Sequence, residues 1–202
     1  MKLTDEQGKK AVHIARRTVD TFVRGRGRYV PEEFPEIFKE KRGVFVTLQK
    51  YPGGELRGCI GFPEPVAQLI DALIDSAISA ASRDPRFEPV REDELDGITV
   101  EVSVLTPPQL LKVKDTQDYP KRISIGRDGL IIRQGFASGL LLPQVPVEWG
   151  WDEEEFLSQT CWKAGLPPDA WLDPEAEIYS FQAQIWTEKT PRGEVVKKEL
   201  DK

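Results

Sequence analysis

The stretch Glu55–Pro65, ELRGCIGFPEP, takes its meaning from the segments on either side of it. Before it, GVFVTL (Gly43–Leu48) is rich in β-formers and KYPGGE (Lys50–Glu55, with Tyr51) is a turn, so LRGCIGF (Leu56–Phe62) reads as the returning strand of a hairpin. After it, PEPVAQLIDALIDSAISAAS (Pro63–Ser82) places Val66, Leu69, Ile70, Leu73, Ile74, Ala77 and Ile78 on one helical stripe, with Pro65 suited to the first turn. RDPRFEPV (Arg83–Val90) ends that helix, because a residue before proline is pushed out of the α region. GITVEVSVL (Gly97–Leu105) then alternates strictly, with Ile98, Val100, Val102 and Val104 against Thr99, Glu101 and Ser103. Together these predict a β-β-α-β unit over residues 43–106.

The N-terminal flank predicts a helix. Thr4 and Gln7 have the spacing of a capping box, and Val12, Ala15, Val19, Phe22 and Val23 recur at helical spacing up to RGRGR. His13 falls with Arg17, Asp20 and Arg24 on its polar side, so the chain's one histidine reads as a surface residue and leaves no base for a Cys/His or Ser/His/Asp arrangement. Residues 31–42 read as a proline-punctuated connection. TPPQLLKVKDTQDYP (Thr106–Pro120) is loop-like and marks the best internal boundary. Beyond it, RISIGRDGLIIRQ (Arg122–Gln134) reads as a hairpin around Gly126–Gly129, followed by an apolar strand, SGLLLPQV (Ser138–Val145). WDEEEFLSQTCWKAG predicts a short helix capped by Asp152, with Phe156, Leu157, Thr160, Cys161 and Ala164 on its buried side. EIYSFQAQIW (Glu177–Trp186) is the last expected strand, before a charged tail.

Composition narrows the function classes. At 202 residues, 39% hydrophobic and 31% charged, the chain fits one large domain or two small lobes. No apolar run is long enough to cross a membrane and no secretory leader is visible, so a cytoplasmic protein is expected. Two cysteines and one histidine are too few for a structural zinc site, and no motif calls for a metal or cofactor. A Cys59–Cys161 bond is left open by the sequence. The net charge of −6 divides unevenly: residues 1–30 hold eight Lys/Arg against three Asp/Glu, and the remainder twenty against thirty-one. Arg24, Arg26 and Arg28 make a nucleic-acid surface conceivable, but an acidic body without interleaved aromatics argues for a solvated basic face instead. The absence of asparagine and the single methionine lean toward a thermally selected sequence.

Strand alternation then divides the cysteine stretch. Leu56, Ile60 and Phe62 point to one face, Arg57 and Cys59 to the other. Two strand rises separate the latter by about 6.5–7 Å, where a unit charge is worth roughly 0.6 kcal/mol in water and about 2.4 at an effective dielectric of ~20. Arg57 could therefore prime the Cys59 thiol, while burial would push it back. Gly58 and Gly61 read either as a bend or as bare backbone for close approach of a ligand. Glu101 and Ser103 share the polar face of a nearby strand, which would bring a carboxylate within reach of Arg57; the plainer reading is an exposed face with a cross-strand ion pair. Asp84 and Arg86 either fix a turn through an Asx-type bond or line a site. Cys161 reads as core.

LRGCIGF, DPRF, VEVSVLT, GLLLPQVPVEWGWDEEEF and TCWKAGLP, in this order, resemble the AMMECR domain family, in particular its archaeal stand-alone members. The resemblance covers nearly the whole chain, with LRGCIG its most specific motif. It implies an α+β fold of two unequal lobes, each an antiparallel sheet flanked by helices, with a groove between them: a smaller lobe over 43–106 and a larger one from 1–42 and 107–202. It also implies an association with Memo-like and radical SAM proteins, beside or fused to which the domain occurs. Two classes of function follow. In one, the chain is a binding or adaptor module using Gly58, Gly61, Arg57, Asp84, Arg86 and Ser103 around the groove. In the other, it is a thiol-dependent enzyme in the inter-lobe groove with Cys59 as nucleophile or thiol carrier, Arg57 as activator or anion-binding group and Glu101 as orienting partner or proton acceptor. The missing histidine base favours the first.

Overall fold

The computed structural model describes residues 2–198 and has the α+β character expected, divided into two compact units. The first unit runs to Thr106 and takes in the chain again from Gln184; the second starts at Pro107 and ends at Ala183. The first 42 residues thus belong with residues 43–106, where the expectation had grouped them with 107–202. The reason is packing: the N-terminal helix buries Ala11, Val12, Ile14, Ala15 and Val19 in the same core as the β-β-α-β segment.

In the first unit, α1 (Asp5–Val23) opens with the expected capping box, Thr4 Oγ1 accepting from the Gln7 amide and the Gln7 side chain from that of Thr4. β1 (Val44–Lys50) and β2 (Leu56–Phe62) form the hairpin, α2 (Leu69–Ser82) follows, and β3 (Ile98–Leu105) pairs with β1, giving the antiparallel order β2-β1-β3. β7 (Glu177–Glu188) comes next to β3 in the strand order, and β8 (Val195–Lys198) pairs with its last residues. α2 begins four residues after Pro65. The Gln68 backbone makes a β-bridge with Lys41 and the Leu69 amide donates to the Glu40 carbonyl, so residues 63–68 are held out of the helix and Val66 is exposed.

Val46, Leu48, Val100 and Val102 fill the sheet face beneath α2, together with Leu69, Leu73 and Ala77. All eight residues of β3 are buried, including Thr99, Glu101 and Ser103, so its alternation does not yield the solvated face expected of it. Gly58 is where α2 comes closest: a Cβ built there would lie 2.2 Å from the Ala80 carbonyl oxygen. Gly58→Ala is expected to destabilise the chain by about 1–3 kcal/mol, because helix backbone rather than a flexible side chain must move. A melting temperature within about 2 °C of wild type would contradict that.

In the second unit, β4 (Gln109–Leu110) and β5 (Asp128–Gln134) pair with the first half of β7, and β6 (Ala137–Leu141) pairs with β5. The hairpin turns at Gly135–Phe136, not around Gly126–Gly129. Gly135 adopts positive φ there, whereas residues 124–128 close a tight turn in which Asp128 accepts from the Ser124 amide and from Arg127. The apolar run after β6 becomes α3 (Gln144–Trp149), and α4 (Glu153–Lys163) is capped by Asp152 as expected. Phe156, Leu157 and Cys161 pack with Leu130, Ile132 and Ile178.

Candidate functional site

Register builds the site on the first unit's sheet. Thr47 of β1 stands opposite Cys59 on one side and Glu101 on the other, so the three form a row on the face turned away from α2. The Cys59 amide points outward from β1 and donates to Asp84 Oδ2 at 2.8 Å. Cys59 and Thr47 are therefore a narrow, non-hydrogen-bonded pair, whose side chains approach most closely. Thr47 Oγ1 donates to Cys59 Sγ at 3.3 Å.

The Asp84–Arg86 pair engages the outward backbone groups of Cys59 on this edge. Its carboxylate accepts the Cys59 amide, and Arg86 Nη2 reaches the Cys59 carbonyl at 3.4 Å. Asp84 Oδ1 accepts the Arg86 amide at 3.1 Å, the Asx-type bond expected, and Arg86 Nε at 2.9 Å. Arg86 holds the buried Asp84 carboxyl well below the usual carboxylate range. DPRF thus makes the Asx-type turn, the first of the two expected readings, and its Asp84 and Arg86 side chains also occupy the outward hydrogen-bonding groups of Cys59 on the edge strand.

Arg57 does not prime Cys59. The pairing of β1 and β2 slips between Leu48 and Gln49, leaving Arg57 as the extra residue of a bulge. Its buried guanidinium grips Glu94 through Nε at 2.8 Å and Nη2 at 3.0 Å and lies over the Phe87 ring. Arg57 in turn holds Glu94 down at about 2. Glu101 does not meet Arg57 either; its carboxylate receives Lys198 Nζ at 3.1 Å. Burial pushes the Cys59 thiol above its ordinary value, and the Thr47 hydrogen bond and the Arg86 charge oppose this without cancelling it.

Gly58 and Gly61 serve packing. Gly58 admits α2, and Gly61 lies under Phe45, whose Cδ1 would be 2.6 Å from a Cβ there. Ser103 is buried opposite Phe45 on the other side. Both cysteines are free; Cys161 is core, its thiol pushed up to about 11 by burial. His13 is exposed on α1. Among the described residues no three His, Cys, Asp or Glu side chains gather as a metal set, and no helix is long and apolar enough to cross a membrane.

Sequence reasoning missed Thr47, Glu94 and Lys198. Thr47 was visible only as the polar residue between Val46 and Leu48. Glu94 was hidden in the acidic run REDELD, and Lys198 in a tail whose one strand signal is Val195–Val196.

The chain is thus a two-unit α+β protein with the LRGCIG strand at the edge of the first unit's sheet and Asp84 of DPRF bonded to the Cys59 backbone. The AMMECR1 family model matches residues 12–186, and the chain belongs to that family. Protein MJ0810 of Methanocaldococcus jannaschii is 58% identical over 198 residues, 98% of each chain, and protein TK0174 of Thermococcus kodakarensis is 56% identical over 204 residues, again 98% of each. Among solved structures, uncharacterized protein PH0010 from Pyrococcus horikoshii superposes with a TM-score of 0.90 at 52% identity, covering 99% of this chain and 100% of that one.

Proposed function

We propose that this AMMECR1-family chain is a binding or adaptor module whose contact surface is the strip of half-buried side chains around Cys59, with Phe45 and Thr47 beside it. The observation that carries this reading is that the ionisable groups around the thiol are already engaged: Arg57 with Glu94, Arg86 with Asp84, and Glu101 with Lys198. General acid–base chemistry needs a side chain free to exchange a proton with a substrate, and each of these is held by a partner of opposite charge. Memo-like and radical SAM proteins are the proposed partners, on the strength of the family resemblance. A Thr47→Arg chain that melts like wild type is expected to lose co-purification with those proteins from the same organism. Undiminished capture would overturn the assignment of this surface.

The Thr47 hydrogen bond to Sγ supports a second reading, thiol chemistry at Cys59, since a donated bond favours the thiolate. The two readings differ in how Cys59 titrates. Iodoacetamide alkylation of Cys59, followed by peptide mass spectrometry, is expected to rise with a midpoint above the ~8.5 of a free cysteine. Arg57→Leu should leave that midpoint in place and Arg86→Gln should raise it further. A midpoint well below ~8.5 would move the thiol enzyme ahead of the adaptor.

A further inference from the structure

The outer side of α1 bears a concavity that the Cys59 row does not use. A cleft of about 400 Å³ lies between the helix and Tyr29, lined from the helix by Lys10, His13 and Arg17. Spacings of three and four residues put these on one side of two turns.

The charges in this cleft are of two kinds. Arg16 is spent on Glu188, and Arg192 on Asp20 at 3.0 and 3.1 Å and on Asp96. Arg17 and Lys10 have no carboxylate within salt-bridge distance among the described residues. The Arg17 guanidinium instead lies 5.0 Å from the centre of the Tyr29 ring. An aromatic face orients a guanidinium without consuming its N–H donors, so the fork stays open to a ligand. Four basic side chains against two carboxylates line the cleft, an excess of positive charge on a chain of net −6. Lys10, Arg17 and Tyr29 also line an adjoining hollow together with Glu32 and Glu33, whose negative charge disfavours a long polyanion continuing past Tyr29 and limits the cleft to a small one. Arg24 and Arg28, beyond the helix, face Glu92 and Asp75 respectively, which also counts against a nucleic-acid track.

We propose that this cleft binds a small phosphorylated anion, with Arg17 taking one phosphoryl group through its fork and Lys10 a second negative group. The seven-residue separation sets their backbones about 10.5 Å apart, a distance that two long side chains can close around linked phosphoryl groups.

Inorganic pyrophosphate is the probe, titrated calorimetrically into the full chain with α1 amide shifts followed by NMR. Saturable binding is expected, with shifts centred on Lys10–Arg17, weakened about ten-fold or more by Arg17→Gln and a few-fold by Lys10→Gln. Arg26→Gln, an exposed arginine outside the cleft, should leave it within about two-fold. The assignment is overturned if no saturation occurs by about 10 mM, if citrate at equal ionic strength binds as tightly, or if Arg26→Gln costs as much as Arg17→Gln.

Discussion

Glu188→Ala is expected to destabilise the first unit by about 3–5 kcal/mol, the largest single-residue effect anticipated for this chain. Glu188 and Arg16 have side chains only 1% and 5% exposed. The carboxylate accepts Arg16 Nε at 3.0 Å and Nη2 at 2.5 Å, and also the Val100 amide at 3.1 Å. Arg16 additionally donates to the Ile98 carbonyl at 2.6 Å. One ion pair therefore ties α1, the start of β3 and the end of β7. Removing the carboxylate leaves the buried guanidinium with only Asp20, at 3.7 Å and already shared with Arg192, and leaves the Val100 amide without its acceptor; the penalty for that loss exceeds what the pair itself contributes. The double change Arg16→Met with Glu188→Leu should cost much less, because no charge is left behind. Native-state hydrogen exchange at α1 and β3 amides reads this without assuming that both units unfold together. A loss below about 1 kcal/mol in Glu188→Ala, or equal losses in the single and double variants, would refute the account.

The contrast between Arg16 and Arg57 shows which parts of the molecule were legible in its sequence. The β-β-α-β order was readable because periods of 2 and 3.6 residues are local, and Val100, Val102, Leu69 and Leu73 obey them. Side-chain partnerships are not local. Arg57 lies two positions from Cys59 in the chain, yet one slipped register step at Leu48–Gln49 makes it a bulge residue and hands it to Glu94, thirty-seven residues away. Glu101 went to Lys198 for a similar reason, since β8 lies in a segment whose charge masks a four-residue strand. Arg16 looked like one basic residue in a basic helix, and nothing within four residues marked it as buried. The Asp84–Arg86 turn was readable from DPRF alone, but that it would close over the Cys59 backbone was not, because the covered groups belong to a strand edge fixed only by the sheet order.

That closure gives the second large effect. Asp84→Ala is expected to cost about 2–3 kcal/mol, from a Cys59 amide left without its acceptor and an Arg86 without its counter-charge. Asp84→Asn should cost less, since an amide oxygen can still accept the Cys59 N–H and make the turn, while the charge pairing to Arg86 is lost. The two variants also separate by pH. The folded-state pKa of Asp84 is depressed, so its contribution is complete above the unfolded carboxyl value of ~3.9 and is lost as pH falls through the folded value. Wild type should therefore lose stability on acidification below about pH 4, and Asp84→Asn should lose less over the same interval, with Glu94 supplying a remaining acid-sensitive part through Arg57. The consequence for the proposed surface is specific. If Asp84 and Arg86 together serve as a false neighbour for β2, Asp84→Ala frees the Cys59 N–H and C=O to pair with another strand, and the variant should self-associate at concentrations where wild type does not. Sedimentation velocity across a concentration series measures this. A variant destabilised as expected but unchanged in its association would mean that the ion pair stabilises the edge without guarding it, and the strip around Cys59 would then be open to partners by its side chains alone.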